Sequence, residues 1–254
     1  MTKQKVLITA GASGIGYAIA LAFNSRGADV TVVDIDTEGL SRLKLEHPSI
    51  RAAVCDVADR SSLELGIPEI IEAMGGLDVL VNNAGVSGPT APVEQLDPNE
   101  WDKVMQINLN GTFNVTRLAV PALKRSSHPS IINMSSVAGR LGYPDRSPYS
   151  TSKWGLIGFT KSLSRELGAY GIRVNAILPG AVEGERFDNV LKGRANLSGN
   201  SLEEERNKAL SVQSLKRLVD PKDIAELAVF LASDAGKSIS GQLLPIDNDM
   251  QQTM

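Results

Sequence analysis

Two side chains in the second half of the sequence have the spacing of a working pair. In YSTSK, Tyr149 and Lys153 stand four residues apart, so a helix over this segment puts both on one face. A free phenol ionises near pH 10, which makes tyrosine a poor proton acceptor at neutral pH unless a positive charge beside it favours the phenolate. Lys153 provides that charge, and Tyr149 becomes a candidate general acid or base. Thirteen positions earlier, at the end of the apolar run SIINMSS, Ser136 offers a hydroxyl that can hydrogen-bond an oxygen on which charge grows. Ser135 competes for this role, and strand alternation sends the two hydroxyls to opposite faces.

A second group of residues suits a phosphate. TAGASGIG, residues 9 to 16, falls between an apolar run and a helical segment, where glycines let backbone N–H groups approach a pyrophosphate at a helix N-terminus. Gly11, Ser13, Gly14, Ile15 and Gly16 form this candidate cradle. The spacing is not G-x-G-x-x-G, so the loop alone carries little weight. The next apolar run ends in Asp34, eighteen positions past Gly16, where a carboxylate can accept from the ribose hydroxyls of an adenosine. A 2′-phosphate there would meet a negative charge, with Ser13 before the second loop glycine and Ile35 after the acid, so NAD is favoured over NADP. The competing reading is that Asp34 caps the following turn together with Asp36.

NNAG (82 to 85), INLNG (107 to 111), NMSSVAG (133 to 139), YSTSK (149 to 153) and the Pro179-Gly180 turn follow in this order. In that conjunction the chain resembles the short-chain dehydrogenase/reductase family over essentially its whole length. The resemblance implies a nicotinamide-dependent oxidoreductase interconverting a secondary alcohol and a carbonyl compound. Tyr149 would move the proton while the substrate carbon exchanges hydride with the cofactor. The family's thirteen-residue spacing selects Ser136 over Ser135. Lys153 would also hold the nicotinamide ribose, and Asn108 would anchor a water that relays the proton; a helix-bending core amide is the alternative for Asn108. Asp56 and Val57 would lie against the adenine, with Val57 equally readable as core. Asn83, Ala84, Gly85, Pro179 and Gly180 would border the cofactor, and backbone near Val182 would meet the carboxamide. A homotetramer, or a dimer, is the assembly the resemblance implies.

Two positions depart from the family pattern. Ala10 stands where the first loop glycine is usual, and Gly184 where a carboxamide-binding threonine is common. The expectation is that Ala10 keeps a negative φ while Gly11 absorbs the unusual backbone angle.

The elements needed to position these residues are legible. KVLITA (5 to 10), DVTVVD (29 to 34), IRAAVCDV (50 to 57), LDVLVNN (77 to 83), SIINMSS (130 to 136), IRVNAILP (172 to 179) and QLLPID (242 to 247) read as buried strands. Helical spacing over 14 to 26, 101 to 125, 150 to 169 and 221 to 232 alternates with them, which predicts a doubly wound parallel α/β sheet of the Rossmann type in a single domain. Asp97-Pro98 and Asp220-Pro221 read as helix starts. Pro68 predicts a broken helix, or one restarting with Pro68 in its first turn. The polar, glycine-dotted stretch from 180 to 210 reads as an irregular lid or binding element, with the substrate insertion around 183 to 213.

The chain has 254 residues, a formal net charge of −3 and one cysteine, Cys55. No basic stripe suits nucleic acid, no intrachain disulfide can form, and no apolar run approaches the ~18 residues of a membrane span. A cytoplasmic protein and a buried, inert Cys55 are expected. His47 and His128 read as solvated, no Cys/His cluster has metal-ligand spacing, and no G-x-S-x-G elbow is present. The charged segment after Gly180, with Arg186, and the segment before Tyr149, with Arg140, Tyr143 and Arg146, favour a small polar substrate: a sugar, a polyol or a hydroxy acid whose anion pairs with an arginine such as Arg186. A solvated helix face accounts for the same charges. Reduction of a 3-oxoacyl thioester, and a catalytically silent NAD-binding regulatory module, are the alternatives. The tail DNDMQQTM either reaches a neighbouring subunit or frays.

Overall fold

β-Branched, apolar runs too short to be helices form seven strands: β1 (Lys5–Thr9), β2 (Asp29–Asp34), β3 (Arg51–Val54), β4 (Val79–Asn82), β5 (Ser130–Met134), β6 (Arg173–Pro179) and β7 (Leu243–Ile246). In the computed structural model, which describes residues 3–253, they form one parallel sheet ordered β3-β2-β1-β4-β5-β6-β7. Each return to the parallel direction is made by at least one helix: α1 (Gly14–Ser25), α2 (Thr37–Glu46), α3 (Arg60–Ala73), α4 (Pro98–Met105), α5 (Thr112–Leu123), α6 (Ser147–Glu166), α7 (Glu185–Ser198), α8 (Leu202–Ser211) and α9 (Pro221–Ala232).

Both faces of the sheet are covered, which is why its central strands are apolar without a polar face. Val6 and Ile8 pack with Ile19 and Phe23 of α1 and Ala225 and Ala228 of α9. Leu7, between them in sequence, joins Leu63 and Ile67 of α3 and Val115 and Ala119 of α5 on the other side. Burying each of the larger of these side chains, the valines, leucines, isoleucines and Phe23, contributes about 1.5–3 kcal/mol.

The expected helix starts are met: the Asp97 carboxylate accepts from Asn99 N–H at 2.9 Å, and that of Asp220 from Lys222 N–H at 2.8 Å, each with proline in the first turn.

Three expectations are corrected. α3 runs unbroken through Pro68; the proline is exposed, so the carbonyl it leaves unbonded faces water. Residues 101 to 125 are not one regular helix, because a π-helical stretch, Gln106–Gly111, separates α4 from α5. The segment from 180 to 210 is not irregular: it folds into α7 and α8. Ser201 opens α8 with a reciprocal capping box, its hydroxyl accepting from Glu204 N–H at 3.2 Å while the Glu204 carboxylate accepts from Ser201 N–H at 2.8 Å. Buried Glu205 closes the turn between the two helices, accepting from Ser198 Oγ at 2.8 Å and Asn200 Nδ2 at 2.6 Å.

The tail, through Thr253, lies on its own chain: Gln251 N–H donates to the Val212 carbonyl at 3.0 Å, and the Thr253 hydroxyl donates to the Gly142 carbonyl. No helix among the described residues is long and apolar enough to cross a membrane.

From β1 the chain winds outward to β2 and β3, then returns to place β4 on the other side of β1. The loops leaving β1 and β4 therefore diverge at their C-terminal ends. This switch point opens the crevice in which doubly wound sheets bind ligands.

Candidate active site

The loop leaving β1 differs from expectation at its first residue. Ala10, not Gly11, takes the left-handed conformation, with φ +53°. The conformation is held from both sides: Ala10 N–H donates to the Val33 carbonyl at 2.7 Å, and its carbonyl accepts from Asn83 Nδ2 at 2.8 Å. Gly11 serves a different need, since a Cβ there would stand 2.7 Å from Cγ1 of Val32. At Gly16 a Cβ would strike the Ala10 carbonyl and the Asn83 amide, so loop and helix close up only with glycine. Ser13, at the N-cap of α1, makes no side-chain capping bond, which leaves the first turn of α1 to present its amides to an anion. A dinucleotide's pyrophosphate fits this cradle. A left-handed alanine costs roughly 1–2 kcal/mol, partly offset by glycine's freer unfolded chain. Ala10→Gly should therefore raise the unfolding free energy by about 0.5–1 kcal/mol in denaturant titration; a loss would contradict the strain.

Asp34 ends β2 beside this loop. One carboxylate oxygen accepts from Ala12 N–H at 3.0 Å; the other accepts from Ile35 N–H at 2.7 Å and Asp36 N–H at 3.1 Å. Asp36 is the cap of α2, accepting from Gly39 N–H at 3.0 Å. The turn-organising reading of Asp34 is thus present in the structure, alongside a position at the mouth of the crevice. Asp56 is exposed and turns its carboxylate to Ala58 N–H at 2.8 Å, while Val57 is buried and lies against Gly111.

Thr9, which drew no attention in the sequence, joins the two crevice loops. Its hydroxyl accepts from both Asn83 N–H and Ala84 N–H at 3.0 Å, and Asn83 Nδ2 reaches back to the Thr9 carbonyl at 3.1 Å. Asn83 is spent on this seam. Beneath it runs a second unforeseen set of buried polar groups: Asn82 Nδ2 donates to Thr116 Oγ1 and Asn133 Oδ1, and Asn133 Nδ2 donates to Thr160 Oγ1.

The structure brings Tyr149, Lys153 and Asn108 together, and Ser136 follows Ser135, which is hydrogen-bonded to Lys153. α6 puts Tyr149 and Lys153 on one face, with Lys153 Nζ 5.6 Å from the centre of the Tyr149 ring. Ser136 lies two residues past β5, where its hydroxyl accepts from Ala138 N–H at 3.2 Å and lies 3.5 Å from the Pro179 carbonyl. Ser135 is engaged elsewhere, donating to the Lys153 carbonyl at 2.9 Å. Asn108 sits in the π-helical stretch, fully buried. Its Oδ1 accepts from Val86 N–H at 2.8 Å, and its Nδ2 donates to the Val86 carbonyl and Ser152 Oγ, each at 3.0 Å. The side chain thus clamps the loop after β4 to α6, and the altered helical register delivers it there. A Cβ on Gly85 would lie 3.1 Å from Asn108 Oδ1 and 3.4 Å from Lys153 Nζ, so this turn belongs to the same site.

Lys153 donates to the Met134 carbonyl at 2.8 Å. Burial, and secondarily the Arg186 charge, push its ammonium down to about 7. In the unfolded chain the proton is held to about 10.5. Between these values the unfolded state binds more protons, so the stability of the folded protein rises with pH across that window. Thermal unfolding of the cofactor-free wild type and Lys153→Met should show the wild type gaining on the variant from about pH 7 to about 10; parallel curves would rule this out.

The residues after β6 form the opposite wall. Val182 bridges to Val219, and Gly184 precedes α7 with φ +134°. A side chain rarely takes that conformation, so the missing threonine follows from the backbone path here. Arg186 donates to the Gly85 carbonyl at 2.7 Å, closing the start of α7 onto the loop after β4. Arg140 is held by structural partners, donating to the Asp247 carboxylate at 2.7 Å and the Met250 carbonyl at 3.2 Å. Tyr143 stands edge-on to Tyr149, ring centres 6.5 Å apart. Arg146, only one of several charges in the sequence, is fully buried beside both rings. Elsewhere, His47 is half-buried with its Nε2 3.1 Å from the Tyr17 hydroxyl, not simply solvated, while His128 is exposed. Cys55 is buried, and burial pushes its thiol up.

A family model described as enoyl-(acyl carrier protein) reductase matches residues 9–250. The chain is 37% identical over 248 residues to the 3-oxoacyl-[acyl-carrier-protein] reductase of Thermotoga maritima, covering 96% of each chain. Its structure is similar to that of NAD+-bound xylitol dehydrogenase, with a TM-score of 0.92, 26% identity and coverage of 96% of this chain and 97% of that one. It is also similar to a variant actinorhodin polyketide ketoreductase with NADPH, at a TM-score of 0.91 and 32% identity, covering 97% of this chain and 96% of that one.

Proposed function

Because this chain belongs to the short-chain dehydrogenase/reductase family, we propose that it is an NAD-dependent oxidoreductase interconverting a secondary alcohol and the corresponding carbonyl compound of a small polar substrate. The observation that carries this reading is the convergence of Tyr149, Lys153 and Asn108 beside the Gly85 turn at the switch point of the sheet, with Ser136 just past the end of β5.

A nicotinamide dinucleotide, when bound, supplies the hydride acceptor or donor. The chain does the rest. The Tyr149 phenolate, favoured by the Lys153 ammonium, takes the proton from the alcohol, and in the reverse direction the Tyr149 hydroxyl donates it to the carbonyl oxygen. The Ser136 hydroxyl hydrogen-bonds the same substrate oxygen. Gly14 and Ile15 would offer backbone to the pyrophosphate, Asp34 would accept from the adenosine ribose, and Asp56, Val57, Ala84, Pro179, Gly180 and Val182 would line the remainder. Lys153 would hold the nicotinamide ribose, and Asn108 would keep the relay path in register.

Asp34 supports NAD, since a carboxylate at the end of β2 would repel the 2′-phosphate of NADP. The relatives divide here: the xylitol dehydrogenase structure holds NAD+ and the ketoreductase structure NADPH. The second reading, reduction of a 3-oxoacyl thioester, is favoured by the Thermotoga maritima likeness. The polar wall of α7 favours the small substrate instead. The intact Tyr149, Lys153 and Ser136 set argues for an enzyme over a silent regulatory module. A homotetramer or dimer is proposed as well, for Phe113 on α5 and Trp154 on α6 are about half exposed and suit a subunit contact.

The test is NADH or NADPH appearance over a panel of sugars, polyols and hydroxy acids, run beside oxidation of each reduced cofactor with 3-oxoacyl thioesters. Turnover confined to thioesters selects the second reading, and no turnover with either set selects the silent module.

A further inference from the structure

Four charged side chains are buried among the described residues: Asp247, Glu205, Lys153 and Arg146. The two carboxylates have cations, Arg140 at 2.7 Å from Asp247 and Lys208 at 3.2 Å from Glu205. The two cations have no carboxylate partner, and both belong to the active site. Arg146 immediately precedes α6 and is 1% exposed. One terminal nitrogen donates to the Ser87 carbonyl at 2.7 Å, the other lies 3.4 Å from Thr90 Oγ1, and Nε has no partner. Its guanidinium carbon is 5.3 Å from the centre of the Tyr149 ring and 5.4 Å from that of Tyr143.

Arg194 of α7 stacks 5.1 Å from the centre of the Tyr143 ring. Burial is the main penalty on the Arg146 charge, with Tyr143 and Tyr149 favouring it and Arg194 opposing it, and burial is likewise the main penalty on Lys153. The aromatic faces offset part of the cost of a buried guanidinium. They do not neutralise it, and an unneutralised buried cation is held at considerable expense unless an anion joins it.

We propose that Arg146 is a substrate-binding residue that takes the anionic group of the substrate, so that the protein acts on short hydroxy acids and their oxo acids, with the carboxylate about one to three carbons from the reacting carbon. This rests on the oxidoreductase reading above and narrows it. A polyol or sugar brings no charge to Arg146. A 3-oxoacyl thioester is neutral next to its reacting carbon. A carboxylate meets the guanidinium where little water screens the attraction.

The experiment pairs hydroxy acids with their own amides, starting from 3-hydroxybutyrate and 3-hydroxybutyramide, and compares wild type, Arg146→Gln and Arg146→Lys. In the wild type, kcat/KM for the acid should exceed that for the amide by about 10- to 100-fold. In Arg146→Gln that ratio should fall at least about tenfold, chiefly through the KM of the acid, and Arg146→Lys should recover part of it. A ratio unchanged by Arg146→Gln, or a wild type preferring the amides, overturns the proposal. A second measurement needs neither turnover nor a folded variant: propionate should bind the NADH-saturated wild type at least about tenfold more tightly than propionamide in a thermal-shift titration. Equal binding overturns the anion site. If propionate binds selectively while no alcohol is oxidised, the anion site stands and the oxidoreductase reading fails.

Discussion

Tyr149→Phe is expected to lower turnover by about 10²- to 10⁴-fold, the range for losing a positioned general acid or base, while leaving NADH binding intact. The phenyl ring keeps the edge contact with Tyr143 and the stacking position beside Arg146 and Lys153. Only the proton-carrying oxygen is lost, so thermal stability should change little. The informative readout is the separation of two quantities on one protein: NADH affinity by fluorescence titration, and alcohol oxidation by NADH appearance. Near-normal turnover with normal binding would remove Tyr149 from the chemistry and return the Tyr149–Lys153 pair to a structural role. Loss of both would mean that the hydroxyl also supports NADH binding, and that lost turnover alone does not assign it to proton transfer.

Replacing Asp34 by alanine is expected to weaken NAD binding by about 10- to 100-fold, as for losing hydrogen bonds to a charged acceptor worth about 1.5–3 kcal/mol. The same change removes the charge that would face a 2′-phosphate, so NADP binding should weaken less or improve. The quantity to measure is the ratio of the two dissociation constants. Part of the loss comes from another route: the Asp34 carboxylate also holds Ala12 N–H of the glycine loop and the amides of Ile35 and Asp36. Asp34→Asn removes the charge but keeps one acceptor oxygen, enough for the Ile35 and Asp36 amides and not for Ala12 N–H as well. If support of the 35–36 turn dominates, Asn binds both cofactors more nearly as wild type does than Ala. If charge dominates, Asn behaves like Ala in discrimination. A wild type that already prefers NADP contradicts the reading of Asp34 outright.

Much of the architecture was legible because two periodicities do not interfere with each other in this chain. Seven short β-branched runs and the intervening helical spacings predict a parallel sheet, and the strands formed where those runs lie, with ends within about three residues. Misreadings occurred where a local rule was overridden. Pro68 sits in an unbroken helix because the carbonyl it orphans is exposed. The segment from 180 to 210 was read as irregular from its glycines and charges, although the Ser201-x-x-Glu204 capping box within it marked a helix start. The π-helical stretch around Asn108 has no signature in apolar spacing, since it preserves the buried face while shifting one register.

The sequence by itself determined the seven strands and their alternation with helical segments, the pairing of Tyr149 with Lys153 on a helical face, and the acid at the end of β2, because each follows from spacing along a single element. Only the tertiary structure decided which backbone bears strain in the glycine loop. Ala10 rather than Gly11 is left-handed because the Val33 carbonyl and the Asn83 amide hold it, while Val32 leaves no room for a side chain at Gly11. It also decided the fate of the arginines. Arg140, Arg146 and Arg186 are alike in sequence, yet one pairs with Asp247, one is buried without a carboxylate beside Tyr149, and one latches α7 to Gly85. Charge pairing depends on what other strands and helices bring within a few ångströms, and spacing along the chain carries no record of that distance.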